Sequence, residues 1–166
     1  MAKIEFKGIE AYQKAMAAFS RDTRDVMIGG AIYDAAGIVA DEIQDGISSI
    51  PTLSHFERAA DGKTVNGLLA KQKADLHNSL GIAKLRDDNG FVSVKIGWDG
   101  YNSIRTARWP NGQPNQMIAR SLERGTSWLQ AFPFVKKAVS RARKRAIEAM
   151  QERIDRACEE YFNKSA

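Results

Sequence analysis

A single cysteine, Cys158, stands in the 166 residues, so no disulfide can close within the chain. Set in an amphipathic helical pattern, it reads as a small buried hydrophobe. The two histidines, His55 and His77, lie far apart in sequence and have no cysteine beside them, which leaves no zinc-ligand spacing. No apolar run approaches the roughly 20 residues needed to cross a bilayer, so no membrane partner is expected. Met1-Ala2-Lys3-Ile4-Glu5 lacks the apolar core of a secretion signal, which predicts a chain that stays in the cytoplasm. Also missing are a Gly-rich phosphate loop, a serine elbow, a dinucleotide fingerprint and internal repeats. No catalytic, cofactor-binding or metal-binding residue is expected, and the chain reads as a non-enzyme.

What is present is ordinary for a globular protein: 43% hydrophobic and 27% charged residues, in a length that suits one domain across 1–166. The formal charge of +5 is unevenly spread. Residues 136–145 hold Lys136, Lys137, Arg141, Arg143, Lys144 and Arg145 with no acid, so the remainder carries 5 − 6 = −1. Such a run fits an acidic partner, nucleic acid or protein, and equally a solvated helix face.

Lys3-Ile4-Glu5-Phe6-Lys7-Gly8 alternates as a short strand. Ile9, Tyr12, Met16 and Phe19 follow at helical spacing. Ser20 and Asp22 offer caps for a longer helix striped by Ile28, Ile32, Ala35, Val39, Ile43 and Ile47. Gly29-Gly30 predicts an irregular or closely packed first turn, and Ser48-Ser49-Ile50-Pro51 stops the helix. Asp41, Glu42 and Asp45 near its end read as a solvated face rather than as paired catalytic acids. Residues 52–67 are expected to be a flexible insertion, and 68–78 a third helix. Asn89-Gly90 then turns a hairpin whose second arm points Val92, Val94, Ile96 and Trp98 to one face. Residues 99–116 mix Gly, Asn and Pro with Tyr101, Arg105, Arg108 and Trp109, as a second flexible insertion or a single-strand stacking surface. The last helix, from about residue 133 to 162, carries Val135, Val139, Ala142, Ala146, Met150, Ile154, Ala157 and Tyr161. At roughly 45 Å it outreaches a small core and needs a second long helix or a neighbouring subunit to cover it. The predicted class is α+β: a small antiparallel sheet, formed by the N-terminal strand and the 80–98 hairpin, packed by two long helices and shorter ones.

Between these elements lies the most distinctive stretch. Leu122-Glu123-Arg124-Gly125-Thr126 reads as a turn in which Gly125 takes a positive φ. Trp128 follows, and Pro133-Phe134-Val135 opens the last helix, with Pro133 at a position its fixed φ suits. Taken alone, the stretch is a loop that packs its aromatics, with Pro133, Phe134 and Trp128 as structural anchors. A Glu-x-Gly-Thr turn, a short spacer and Ala-x-Pro-Phe before a long helix resembles the tail-completion, or head–tail joining, minor tail proteins of long-tailed bacteriophages and their prophages. Ala138 stands where that family has a small residue, and the strand, helices, Pro51 and Leu76-His77-Asn78-Ser79-Leu80 follow in the family's order. The Thr-Gly dipeptide usual after the proline is missing, and 52–75 and 99–116 look like insertions.

The resemblance implies a structural virion protein of the tail neck, assembled in the host cytoplasm. Its implied partners are further copies of itself in a ring, sixfold in the assembled tail, the tail-tube protein, the head connector and passing phage DNA. The expected assembly surface is Glu123, Arg124, Gly125 and Thr126 together with Arg141, Arg143, Lys144 and Arg145. The alternative function is nucleic-acid binding through the basic 136–145 segment.

Overall fold

The computed structural model describes residues 21–55, 65–88 and 91–165. Helix α1 (Arg21–Ser48) leads to strands β1 (Thr52–Leu53) and β2 (Leu68–Leu69) and helix α2 (Ala70–Asn78). Strands β3 (Leu80–Ile82), β4 (Arg86–Asp88), β5 (Phe91–Ser93) and β6 (Ile96–Trp98) follow, then helices α3 (Asn115–Arg124) and α4 (Phe134–Ser165). The class is α+β, as expected. The expected N-terminal strand, the helix of residues 9–19 and the Ser20 cap lie outside the described residues, as do 56–64 and the Asn89-Gly90 turn.

The two long helices pack antiparallel, with Gly46 of α1 against Phe134 at the start of α4 and Gly30 facing Arg153 near its end. Their seam is built largely from small side chains: Ala31, Ala35 and Ala36 on α1, and Ala138, Ala142 and Ala146 on α4, are all buried. Small residues let helix axes approach closely. Two members of the expected stripes turn outward instead, Ile28 at 38% and Val139 at 46% exposure. The cause at the second site is local. A Cβ on Gly46 would lie 3.3 Å from that of Phe134, so the missing side chain makes room for the ring, which turns Phe134 and Ala138 inward and Val139 out.

Among the described residues the strands form three two-stranded sheets rather than one. The expected hairpin is present in two pieces. Ile82 pairs with Ile96 and Arg86 with Ser93, so three residues, 83–85, oppose two, 94 and 95. This is a bulge on the first arm, and a bulge leaves ladder groups unpaired. Tyr33 of α1 supplies the partners: its hydroxyl donates to the Ala83 carbonyl at 3.0 Å and accepts from the Leu85 N–H at 3.0 Å. Gly29 completes the seat, since a Cβ there would stand 2.9 Å from Leu85 Cδ2. The glycine pair is thus regular helix, closely packed as one of the two expected outcomes had it.

Leu68 and Leu69, expected in a helix, are instead strand, paired in parallel with Thr52 and Leu53. Helix α2 begins only at Ala70. Its Lys73 donates to the carbonyls of Ser48 and Ile50 at 2.6 and 2.7 Å, satisfying groups left open where α1 ends. The core lies where α1, α2, α3 and the start of α4 meet, around Ile43, Ile47, Leu76, Ile118, Leu122 and Phe134.

Residues 99–116 run as a hydrogen-bonded loop into α3. The Asn102 N–H donates to Gln113 at 2.8 Å and the Asn115 N–H to Gly100 at 3.1 Å. Both asparagines are 2% exposed, and the side chain of Asn115 donates to the Asp99 carbonyl at 3.1 Å. Gly112, at φ +90°, admits no side chain, because a Cβ would stand 1.8 Å from the Asn102 oxygen. Asp75 of α2 holds the outer edge by accepting from the Ser103 N–H at 2.8 Å and from its hydroxyl.

Candidate assembly surface

Helix α3 stops at Arg124 because Gly125 adopts φ 74° and ψ 168°, a region essentially closed to residues with a side chain. A Cβ there would also come within 3.0 Å of the Ala131 nitrogen. The reversed chain then closes on itself. The Phe132 N–H donates to the Leu122 carbonyl at 2.7 Å, and the Thr126 N–H to Leu129 at 2.8 Å. The Thr126 hydroxyl oxygen accepts from the Leu129 N–H at 3.0 Å.

Glu123 finishes the clasp. Its two carboxylate oxygens accept from the N–H groups of Val135 and Lys136 at 2.9 and 3.0 Å, the first turn of α4. Those N–H groups have no partner inside the helix, and the positive end of the helix dipole favours an anion beside them. The carboxylate expected to face a neighbour is therefore a cap reaching back across the turn. Pro133 sits directly before α4, and its carbonyl accepts from the Lys137 N–H at 3.3 Å.

Phe134, expected as an anchor, is 2% exposed, and its ring meets Trp98 of β6 edge-on at 5.8 Å. It thus ties α4 to the hairpin as well as to α1. Trp128, the other expected aromatic anchor, is 41% exposed, while Leu129 beside it is 3% exposed. The reason is strand-like alternation: Leu129 pairs in parallel with Val65 and points inward, so its neighbour points out.

The basic segment divides in two. Arg141 and Arg145 both reach Glu42 of α1, the first at 3.2 Å, each taking one carboxylate oxygen. Glu42, at 13% side-chain exposure, belongs to the seam and not to the solvated face that sequence reading gave it. Arg143 and Lys144 are exposed and pair with no acid of α1. Lys144 has only a 3.7 Å pair with Glu148 one turn on, with its own side chain 87% exposed. Arg143 has no partner among the described residues, and neither does the Lys136 ammonium group. Ile147, 46% exposed, lies on the same side. The surface expected at 123–126 and 141–145 is thus not one patch. Glu123, Gly125 and Thr126 build the clasp, Arg141 and Arg145 clamp the helices, Arg143 and Lys144 are exposed further along α4, and Arg124 is exposed at the end of α3.

Among the described residues no three His, Cys, Asp or Glu side chains cluster as metal ligands, and no helix is long and apolar enough to cross a membrane. The sequence, read as placing Glu123 at an assembly surface, with a cap as the alternative, carries the signal for the cap: a carboxylate just before a glycine turn that leads to a helix start. Compared with known proteins, the chain matches no family model, no curated protein and no solved structure.

Proposed function

We propose that this chain is a structural virion protein, a tail-completion or head–tail joining component that forms a ring at the head-proximal end of a long phage tail. One observation carries the reading. The residues that resemble that family, from Leu122 to Val135, fold into a single clasp in which a turn, a carboxylate cap and an aromatic anchor fix the start of α4. A rigid α1–α4 pair held in this way presents long helix faces that can repeat by rotation around an axis. The partners are further copies of the chain, the tail-tube protein on one side and the head connector on the other. Its place is the tail neck of the virion, reached from the host cytoplasm.

The test is electron microscopy of the purified protein mixed with tail tubes from the same phage or prophage. Rings seated on one end of the tube are expected; bare tube ends at saturating protein remove the reading. Nucleic-acid binding through 136–145 is the rival. It has less to work with than the sequence promised, because Glu42 engages two of its six cations. Tight DNA binding that falls steeply with salt would put the rival first.

A further inference from the structure

We infer that the basic outward face of α4 docks on the exposed acidic edge of α1 in a second copy of this chain, a head-to-tail contact between unlike stripes. On α4 the stripe is Lys136, Arg143 and Lys144 around Ser140 and the half-exposed Ile147. On α1, Asp34, Asp41 and Asp45 are exposed along one edge of the helix, the edge where Asp34 approaches Arg153 of α4, with Gly37 and Ile38 between them. Lys136 to Arg143 and Asp34 to Asp41 are each seven residues, roughly 10.5 Å along a helix, so cations and carboxylates recur at the same pitch. The internal claims on these charges are weak. Asp34 lies 3.7 Å from Arg153 with both side chains about half exposed, and Lys144 lies 3.7 Å from Glu148. Asp41, Asp45, Arg143 and Lys136 have no side-chain partner among the described residues.

The two stripes do not pair with each other within one chain. Helices α1 and α4 already use their inner faces on each other, through the alanine seam and the Glu42 clamp. Each copy therefore offers one basic and one acidic face, the requirement for a contact in which unlike patches meet and the rotation closes a ring. Ile147 and Ile38 give the contact an apolar centre, and the ring of charges sets its register. The inference rests on the ring reading above and names the faces that reading leaves open.

Two single-cysteine variants in a Cys158→Ser background provide the test. Gly37→Cys lies beside the acidic stripe, where an added Cβ meets nothing within 4 Å, and Ser140→Cys lies in the basic one. Oxidising an equal mixture of the two at high protein concentration and low salt should give a disulfide-linked pair containing one of each. Either variant alone should give little. Asp41→Lys with Asp45→Lys, or Arg143→Asp with Lys144→Asp, should abolish that product when built into one partner, and mixing the two charge-reversed proteins should restore it. Absence of the mixed product, or equal self-linking by each variant alone, overturns the contact. So does duplex DNA binding that is lost with Arg143→Asp/Lys144→Asp while cross-linking is unchanged, since the basic face then serves nucleic acid. Rings on tail tubes without the mixed product would sink these faces and spare the proposed function. The mixed product without rings on tubes would do the reverse.

Discussion

Glu123 and Arg143 both belong to the polar residues around α4, yet the structure uses them in opposite ways. Glu123 sits in a turn whose polar groups are bonded inside the chain, to Val135 and Lys136 at the start of the helix. Arg143 lies about two turns further on, exposed and without an acidic partner on α1. The difference teaches that a distinctive polar motif can be architecture, while a plain basic run can hold the free surface. The clasp stabilises the monomer; the face is left to serve whatever the monomer meets. Mutations should separate them, because one region is coupled to folding and the other is not.

The largest expected effect is in the clasp's anchor. Phe134→Ala removes a ring buried between Trp98 and Gly46 and should cost about 3–5 kcal/mol in urea unfolding. A wild-type midpoint would mean that α4 is anchored elsewhere. Next comes Gly125→Val, which forces a β-branched residue into φ 74° and ψ 168° and toward the Ala131 nitrogen. Roughly 1–3 kcal/mol of strain is expected from the backbone alone, and thermal melting checks it. A smaller loss follows Glu123→Gln, which keeps an accepting oxygen but gives up charge and one cap. It should cost about 1 kcal/mol, a drop of about 2–4 °C in Tm for a chain of this size. No change in Tm would return Glu123 to the assembly surface and break the contrast.

The smallest effect on folding is expected on the outward face. Arg143→Glu with Lys144→Glu should shift stability by no more than about 0.5 kcal/mol, as exposed substitutions usually do. Ring formation on tail tubes should nevertheless fail. The sharper control is Arg141→Glu with Arg145→Glu, two residues from the same basic run. That pair places carboxylates against Glu42, so it should lower Tm clearly more than the Arg143/Lys144 pair. Equal Tm values for the two double variants would show that the run is one undivided face.

Much of this was legible in the chain. Apolar spacing gave both long helices, Pro51 ended the first, and alternating residues beside Asn89-Gly90 gave the hairpin arms, because these signals act within a few residues. The positive φ at Gly125 was legible for the same reason. Less so were Leu68 and Leu69, helical by composition and drawn into strand by a hydrogen bond from the Leu68 N–H to the Pro51 carbonyl at 3.0 Å, a partner far along the chain.

The sequence alone determined where the chain turns helical, where it reverses and which stretches carry charge, since propensity, capping and φ preferences are properties of neighbouring residues. Only the tertiary structure decided what each polar group is for. Gly46 opened the space that turned Phe134 in and Val139 out, Tyr33 completed the bulge, and Glu42 took Arg141 and Arg145 but not Arg143. Each of these outcomes depends on two residues brought together by folding. A hydrogen bond or an ion pair requires an approach within a few ångströms, and no local preference of either partner specifies that.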